Sequence, residues 1–288
     1  MYNFSPVTKE KIMIDQIVVV YCFCDEITKA VNFKDDPQCQ MSSAEVMTFA
    51  VISAMHFGGD YRKTRLFAKH HNYFSKVLSL SQLVRRIHQI PETVWYCVFL
   101  SLQAFLKNED VETFIVDSFP VKAYENHKSF RARIFAGKEY HGYTASKKQY
   151  FFGIKVHMLI DENGVPIEFV FSPGSASDIT TFQGFSLQLP IHSTILGDRA
   201  YTSYQFEDAL MNLDGVRLLP KRKQNLKRQP SGSEAFILSR QRNLIETAFS
   251  SIVSRMPRYI RARTEKGFCL KVFFFILAYM VNLYFPVE

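Results

Sequence analysis

The spacing of the apolar residues changes at residue 109, and that change restricts the fold more than any other feature of the chain. Before it, segments 7–31, 43–56, 60–70, 81–90 and 92–107 carry apolar residues at helical spacing, with little strand-like alternation. Ser42 or Ser43 is placed to cap AEVMTFAVISAMHF, which Gly58-Gly59 ends, and Ser81 to cap the helix that follows it. After residue 109, VETFIVDSF reads as a strand, and YFFGIKVHMLID and PIEFVFSPGS read as a hairpin around Asn163-Gly164. DITTFQGFSLQL then reads as a helix and HSTILGDRAY as a short strand ending in Gly197-Asp198. SYQFEDALMNL reads as a helix, VRLLP as a strand and SEAFILSRQRNLIETAFSSIVSRM as a long helix. Three strands, a helix, a strand, a helix, a strand and a helix predict an α/β core, a mixed sheet with flanking helices over 109–288. An all-α domain over 1–108 precedes it.

Charge points to a polyanionic partner. The chain carries 35 Lys and Arg against 27 Asp and Glu. From Lys221 to Lys266 there are twelve basic residues against three acidic ones, and from Val121 to Tyr150 seven against two, so the remainder is net acidic. Nucleic acid is the first partner such stretches suggest and an anionic membrane the second. The excursion at about 121–150 mixes Lys122, Lys128, Arg131, Arg133, Lys147 and Lys148 with tyrosine and phenylalanine, which suits distorted or single-stranded DNA. Arg85 and Arg86 share a helix that can enter a DNA groove or serve as an ordinary surface helix. The segment KRKQNLKRQPSGS reads as a mobile loop.

The five cysteines show no CxxC pair and read as reduced, mostly buried thiols of a cytoplasmic protein. MYNFSPVTKEK lacks the apolar core of a signal peptide. Residues 267–285 are long enough to span a bilayer, but Lys271 and Asn282 interrupt them, so a buried packing helix is expected and no membrane partner.

Two carboxylates stand at expected strand ends. Asp117 follows Phe-Ile-Val and precedes Pro120, which argues against simple continuation of a central strand, and Asp198 follows Ile-Leu-Gly. Buried acids in such places need a hydrogen bond, a counter-charge or a cation. Glu246 lies beside the apolar face of the long helix, four residues after Arg242. Each acid has an ordinary role open to it: a turn cap for Asp117, Arg199 for Asp198, Arg242 for Glu246. Three converging carboxylates would instead suit two divalent cations on a phosphodiester. Lys155 and His157 alternate on one strand face toward this region. Asp178 stands where a helix cap belongs, or where it can orient a neighbour.

IVDSFPV, YFFGIKVHMLID, SPGSASDIT, LGDRAY and RNLIETAFS together resemble the DDE transposases of bacterial insertion sequences, and among them the 982 family. The resemblance covers about residues 110–285. It implies an RNase H-like catalytic core with a mixed five-stranded sheet, and Asp117, Asp198 and Glu246 as catalytic and metal-holding residues. It implies two Mg²⁺ (or Mn²⁺) ions, cleavage at terminal inverted repeats, strand transfer into target DNA and a dimer on double-stranded DNA. Arg242 matches the Arg-x-x-x-Glu signature of related families. Their lysine seven residues after the glutamate is replaced by Val253, so either Arg255 supplies that charge or nothing does. Arg199, Lys221, Arg222 and Lys223 complete the expected DNA contacts, with His157 and Asp178 behind the acids. A nuclease without strand transfer and a silent DNA-binding protein remain the alternatives.

Overall fold

The computed structural model describes residues 6–108, 110–124, 132–144 and 148–285. The chain divides into two compact units, one of Met1–Lys107, Ile252–Ala262 and Lys266–Glu288, the other of Asn108–Ser251 and Arg263–Glu265.

The first unit opens with helices α1 (Pro6–Ala30), α2 (Ser43–Phe57), α3 (Tyr61–His70), α4 (Leu80–Gln89) and α5 (Glu92–Leu106). Helix α2 starts in a capping box, in which Ser42 Oγ accepts the Glu45 N–H and the Glu45 carboxylate accepts the Ser42 N–H. It ends on Gly58, whose φ of 57° suits a residue without Cβ. Helix α4 is capped by Ser79 rather than Ser81, because Ser79 can reach Gln82 three residues on. Of the five cysteines only Cys24 is buried and Cys22 is exposed, so the expected run of buried thiols is corrected to one.

The second unit is built on a six-stranded mixed sheet, one strand more than expected. Its strands are β1 (Thr113–Tyr124), β2 (His141–Thr144), β3 (Gln149–Asp161), β4 (Pro166–Pro173), β5 (Thr194–Gly197) and β6 (Arg217–Pro220). Helices α6 (Asp178–Phe182), α7 (Tyr204–Asp214) and α8 (Gly232–Arg255) accompany them, α8 up to Ser251 within this unit. The order is β2-β3-β1-β5-β6, with β4 also on β3. β1, β5 and β6 run parallel, and β3 is antiparallel to β1, β2 and β4. The extra strand is β2, four residues inside the basic excursion. The β3–β4 turn is held by Asp161, whose Oδ1 accepts the N–H groups of Asn163 and Val165 at 2.8 Å each. Phe114, Val116, Leu159, Phe182, Ile195 and Leu218 form the centre of the core.

Strand β1 does not end at Asp117. It continues through Pro120, paired to β3, as far as Tyr124. Its pairing with β5 stops at Val116, so beyond that point one edge of β1 has no partner strand among the described residues, and a proline without an N–H is tolerated there.

Strands β2 and β4 follow one another along the same strand, β3, and glycines sit at the junction. A Cβ on Gly153 would collide with the Val121 carbonyl oxygen and the Ala123 nitrogen, backbone atoms of the neighbouring strand that cannot swing away. Gly153→Ala is expected to cost about 2–3 kcal/mol, as overpacking does. Gly232→Ala, where a Cβ meets nothing within 4 Å, should change stability by less than about 0.5 kcal/mol. Urea unfolding midpoints of the two variants check the contrast.

The last helix, α9 (Glu265–Tyr284), belongs from Lys266 onward to the helical unit and not to the sheet unit. It is long and apolar enough to cross a membrane, yet Phe268 and every residue from Val272 to Val281 are buried inside the protein. Trp95 of α5 packs on its Phe274 at a ring separation of 4.7 Å, the behaviour of a core helix.

Candidate active site

The parallel pairing of β1 with β5 sets Val116 opposite Gly197, so the next residue on each strand, Asp117 and Asp198, leaves the paired stretch beside the other. These are the carboxyl ends of the β5 strand and of the β5-paired part of β1, where open α/β sheets form their crevices. Asp117 Oδ1 accepts its neighbour's N–H, from Ser118, at 2.7 Å. Asp198 caps a single 3₁₀ turn, Arg199–Tyr201, by accepting the Ala200 N–H at 2.7 Å. Burial pushes the Asp117 carboxyl up to about 7, with Asp198 and Asp178 adding to the rise and the Ser118 N–H and Arg242 opposing it. The Asp198 carboxyl is raised as well, by burial first and then by Asp178, against Ala200 and Arg242. The two acids therefore share one low-dielectric place and repel each other there.

A cleft opens over this pair, lined by Ile115, Asp117, Gly197, Asp198, Lys221 and Arg242, with Leu238 and Ile245 of α8 forming its apolar wall. Arg242 is the cation whose field reaches both aspartates. Its Nε donates to Glu246 Oε1 at 2.7 Å, and Glu246 is about half exposed. Asp117 and Asp198 are thus brought together, whereas Glu246 is held by its helical neighbour. Among the described residues no three His, Cys, Asp or Glu side chains stand close enough to share one metal ion.

Asp178 does not cap α6. Ser177 occupies the cap position, and the Asp178 Oδ1 instead accepts from Ser118 Oγ at 3.0 Å and Lys155 Nζ at 3.1 Å. Lys155, expected among the DNA contacts, turns inward and also donates to the Ala176 carbonyl at 2.8 Å. His157 is fully buried, with Nε2 on Ser172 Oγ at 2.8 Å and Nδ1 3.7 Å from Asp178. Burial lowers its imidazole to about 4, so the ring is neutral near pH 7.

The other basic residues separate into buried and open ones. Arg86, expected among the DNA contacts, bonds Asp35 at 2.7 Å and Ser43 at 3.2 Å, tying α4 to the start of α2. Arg222, also expected among the DNA contacts, is 7% exposed, paired to Glu207, and donates to the Arg228 carbonyl. Arg228 grips Asp208 through both guanidinium nitrogens, so the segment expected to be a mobile loop is tied to α7. Arg255 lies in the helical unit, partly buried, with its pKa lowered by that burial. Arg85, Lys122, Arg133, Lys148, Arg199, Lys221 and Lys223 are exposed. Lys128, Arg131 and Lys147 lie outside the described residues.

Two neighbours of the acids went unassigned in the sequence. Ser118 bonds both Asp117 and Asp178. Tyr201 is fully buried; burial first, then Asp117, Asp178 and Asp198, raise its pKa, and Ser118 opposes the rise. The signals were present, a hydroxyl directly after the first aspartate and a tyrosine three residues after the second. No curated protein sequence matches the chain. The family model for the transposase DDE domain matches residues 110–283, more than half of the chain and all of the residues that form the cleft. The sheet that sets two aspartates side by side is therefore the domain of a DDE transposase, and the chain belongs to that family.

Proposed function

We propose that the chain cuts DNA at the ends of an insertion sequence and joins the freed ends to target DNA, using Asp117, Asp198 and Glu246. The observation that carries this reading is the register that leaves Asp117 and Asp198 adjacent at the mouth of a cleft bordered by Lys221 and Arg242. The sheet order supports an RNase H-like core: once β2 is set aside, three antiparallel strands adjoin two parallel ones. The motif resemblance favours the 982 family of insertion sequences.

Members of the family generally use divalent metals. The donor set fits a hard cation, since the acids supply oxygen only and their buried mutual repulsion is what a positive ion relieves. Asp117 and Asp198 would hold it, and Glu246 would join them after leaving Arg242. Two Mg²⁺ ions, when bound, supply an activated water and charge stabilisation at the leaving oxygen. The chain's own residues do the positioning. The strand ends fix the aspartates, Lys221 and Arg199 offer cations to backbone phosphates, and the wall formed by Leu238 and Ile245 excludes water from one side. The helical unit, with Arg85 exposed on α4, would read the element's terminal repeats, and two chains would pair on DNA to bring two ends together.

The test is cleavage of a labelled fragment carrying the element's end, in Mg²⁺ or EDTA, by wild type and Asp198→Asn. Metal-dependent nicking and joined products are expected from wild type alone, with DNA binding retained by both. Equal cleavage by the two proteins would remove Asp198 from the site, and nicking without joined products would make the protein a nuclease.

A further inference from the structure

Asp178 is the third carboxylate near the aspartate pair, and no step of the reaction described above uses it. Its surroundings nevertheless hold it in a defined place. Lys155 of β3 donates to its Oδ1 at 3.1 Å and anchors itself on the Ala176 carbonyl. Ser118 of β1 donates its hydroxyl to the same oxygen at 3.0 Å, while the Ser118 N–H is donated to Asp117 Oδ1 at 2.7 Å. Ser118 is thus gripped twice, at its side chain by α6 and at its backbone by the aspartate that precedes it. The lysine and aspartate side chains are only 16% and 21% exposed. A lysine in a DNA-cutting domain that turns inward to neutralise one acid, with its ammonium away from solvent, has the placement of a fixed structural counter-charge. Tyr201, buried beside Ser118, lies in the field of the same three carboxylates.

We propose that Asp178 is a positioning residue for Asp117: acting through Ser118, with Lys155 as its counter-charge, it fixes the direction in which Asp117 presents its carboxylate to a divalent cation. The proposal rests on the reading of Asp117 and Asp198 as the cation-holding pair. Bonds of this kind around a metal ligand set its orientation, and their removal lowers metal affinity about 10–100-fold. A tether that merely fastens α6 to the sheet would affect stability alone.

The experiment measures Mn²⁺ binding to the full chain, by electron paramagnetic resonance of the free ion, without DNA. Wild type, Asp178→Asn, Ser118→Ala and Asp117→Asn are compared, with melting temperatures recorded for each. Asp178→Asn is expected to weaken Mn²⁺ binding about 10–100-fold and Ser118→Ala to weaken it in the same direction. Ser118→Ala removes one hydroxyl and leaves every backbone bond, so it provides the reading if Asp178→Asn fails to fold. Wild-type Mn²⁺ affinity in both variants, with affinity lost in Asp117→Asn, would overturn the proposal alone. Undiminished affinity in Asp117→Asn would overturn the parent reading and this one with it.

Discussion

Asp117→Asn is expected to stabilise the metal-free protein above pH 7 and to abolish its DNA cleavage. Both effects have one cause. The Asp117 carboxyl is pushed up to about 7 in the folded protein, from an ordinary value of 3.8, first by desolvation of its partly buried side chain and then by Asp198. The folded state therefore holds this proton more tightly than the unfolded chain does. Between about pH 4 and pH 7 stability falls as pH rises, and above 7 the whole penalty is present. Its upper bound is about 4 kcal/mol, from the distance between the two values. Asparagine keeps the shape and carries no charge, so in EDTA the variant should lose that pH dependence and melt higher than wild type at pH 8. With Mg²⁺ present the order of activity is reversed. On the proposed reading of Asp117 as a cation ligand, its loss is expected to remove several kcal/mol of charge stabilisation, about 10³-fold or more in rate. Thermal unfolding from pH 5 to 9 in EDTA, beside cleavage in Mg²⁺, reads both. A variant whose stability follows wild type across that range would show that the buried repulsion lies elsewhere.

The sequence was most legible where structure is local. The helical periods of the first hundred residues, the Asn163-Gly164 turn and the two aspartates after apolar runs all depend on neighbours a few positions away. What stayed hidden depends on distant partners. Pro120 looked like the end of a strand because nothing nearby says that β5 leaves β1 after Val116, freeing that edge. The four residues of β2 are too few to show a period and lie in a basic stretch. Asp178 has the position of a cap, and only the arrival of Ser118, sixty residues away, redirects its carboxylate. Glu246 and Arg242 are the reverse case, in which the local i, i+4 pair that the sequence offers is the one that forms.

Arg222 stands inside a basic run, and it carries the largest expected loss of stability. KRK at 221–223 reads as three phosphate contacts, yet the middle residue points inward while its neighbours stay exposed. Its guanidinium pairs with Glu207 of α7, both side chains under 7% exposed, and lies 5.0 Å from the ring centre of Tyr204. Arg222→Ala leaves the Glu207 carboxylate buried with only the 3.6 Å approach of Arg228 to replace the lost partner. Breaking a buried pair from one side costs about 3–5 kcal/mol, whereas replacing both members with apolar groups of similar volume is close to neutral. Arg222→Ala should therefore lower the urea midpoint sharply and expose residues 221–230 to proteolysis. Arg222→Met combined with Glu207→Leu should recover most of the loss. Lys223→Ala, on the exposed neighbour, should weaken DNA binding and reduce its salt dependence by about one counterion, with stability unchanged. If instead Arg222→Ala left stability intact and weakened DNA binding as Lys223→Ala does, the arginine would have to leave Glu207 for a phosphate, and the segment would be the mobile loop its composition suggests.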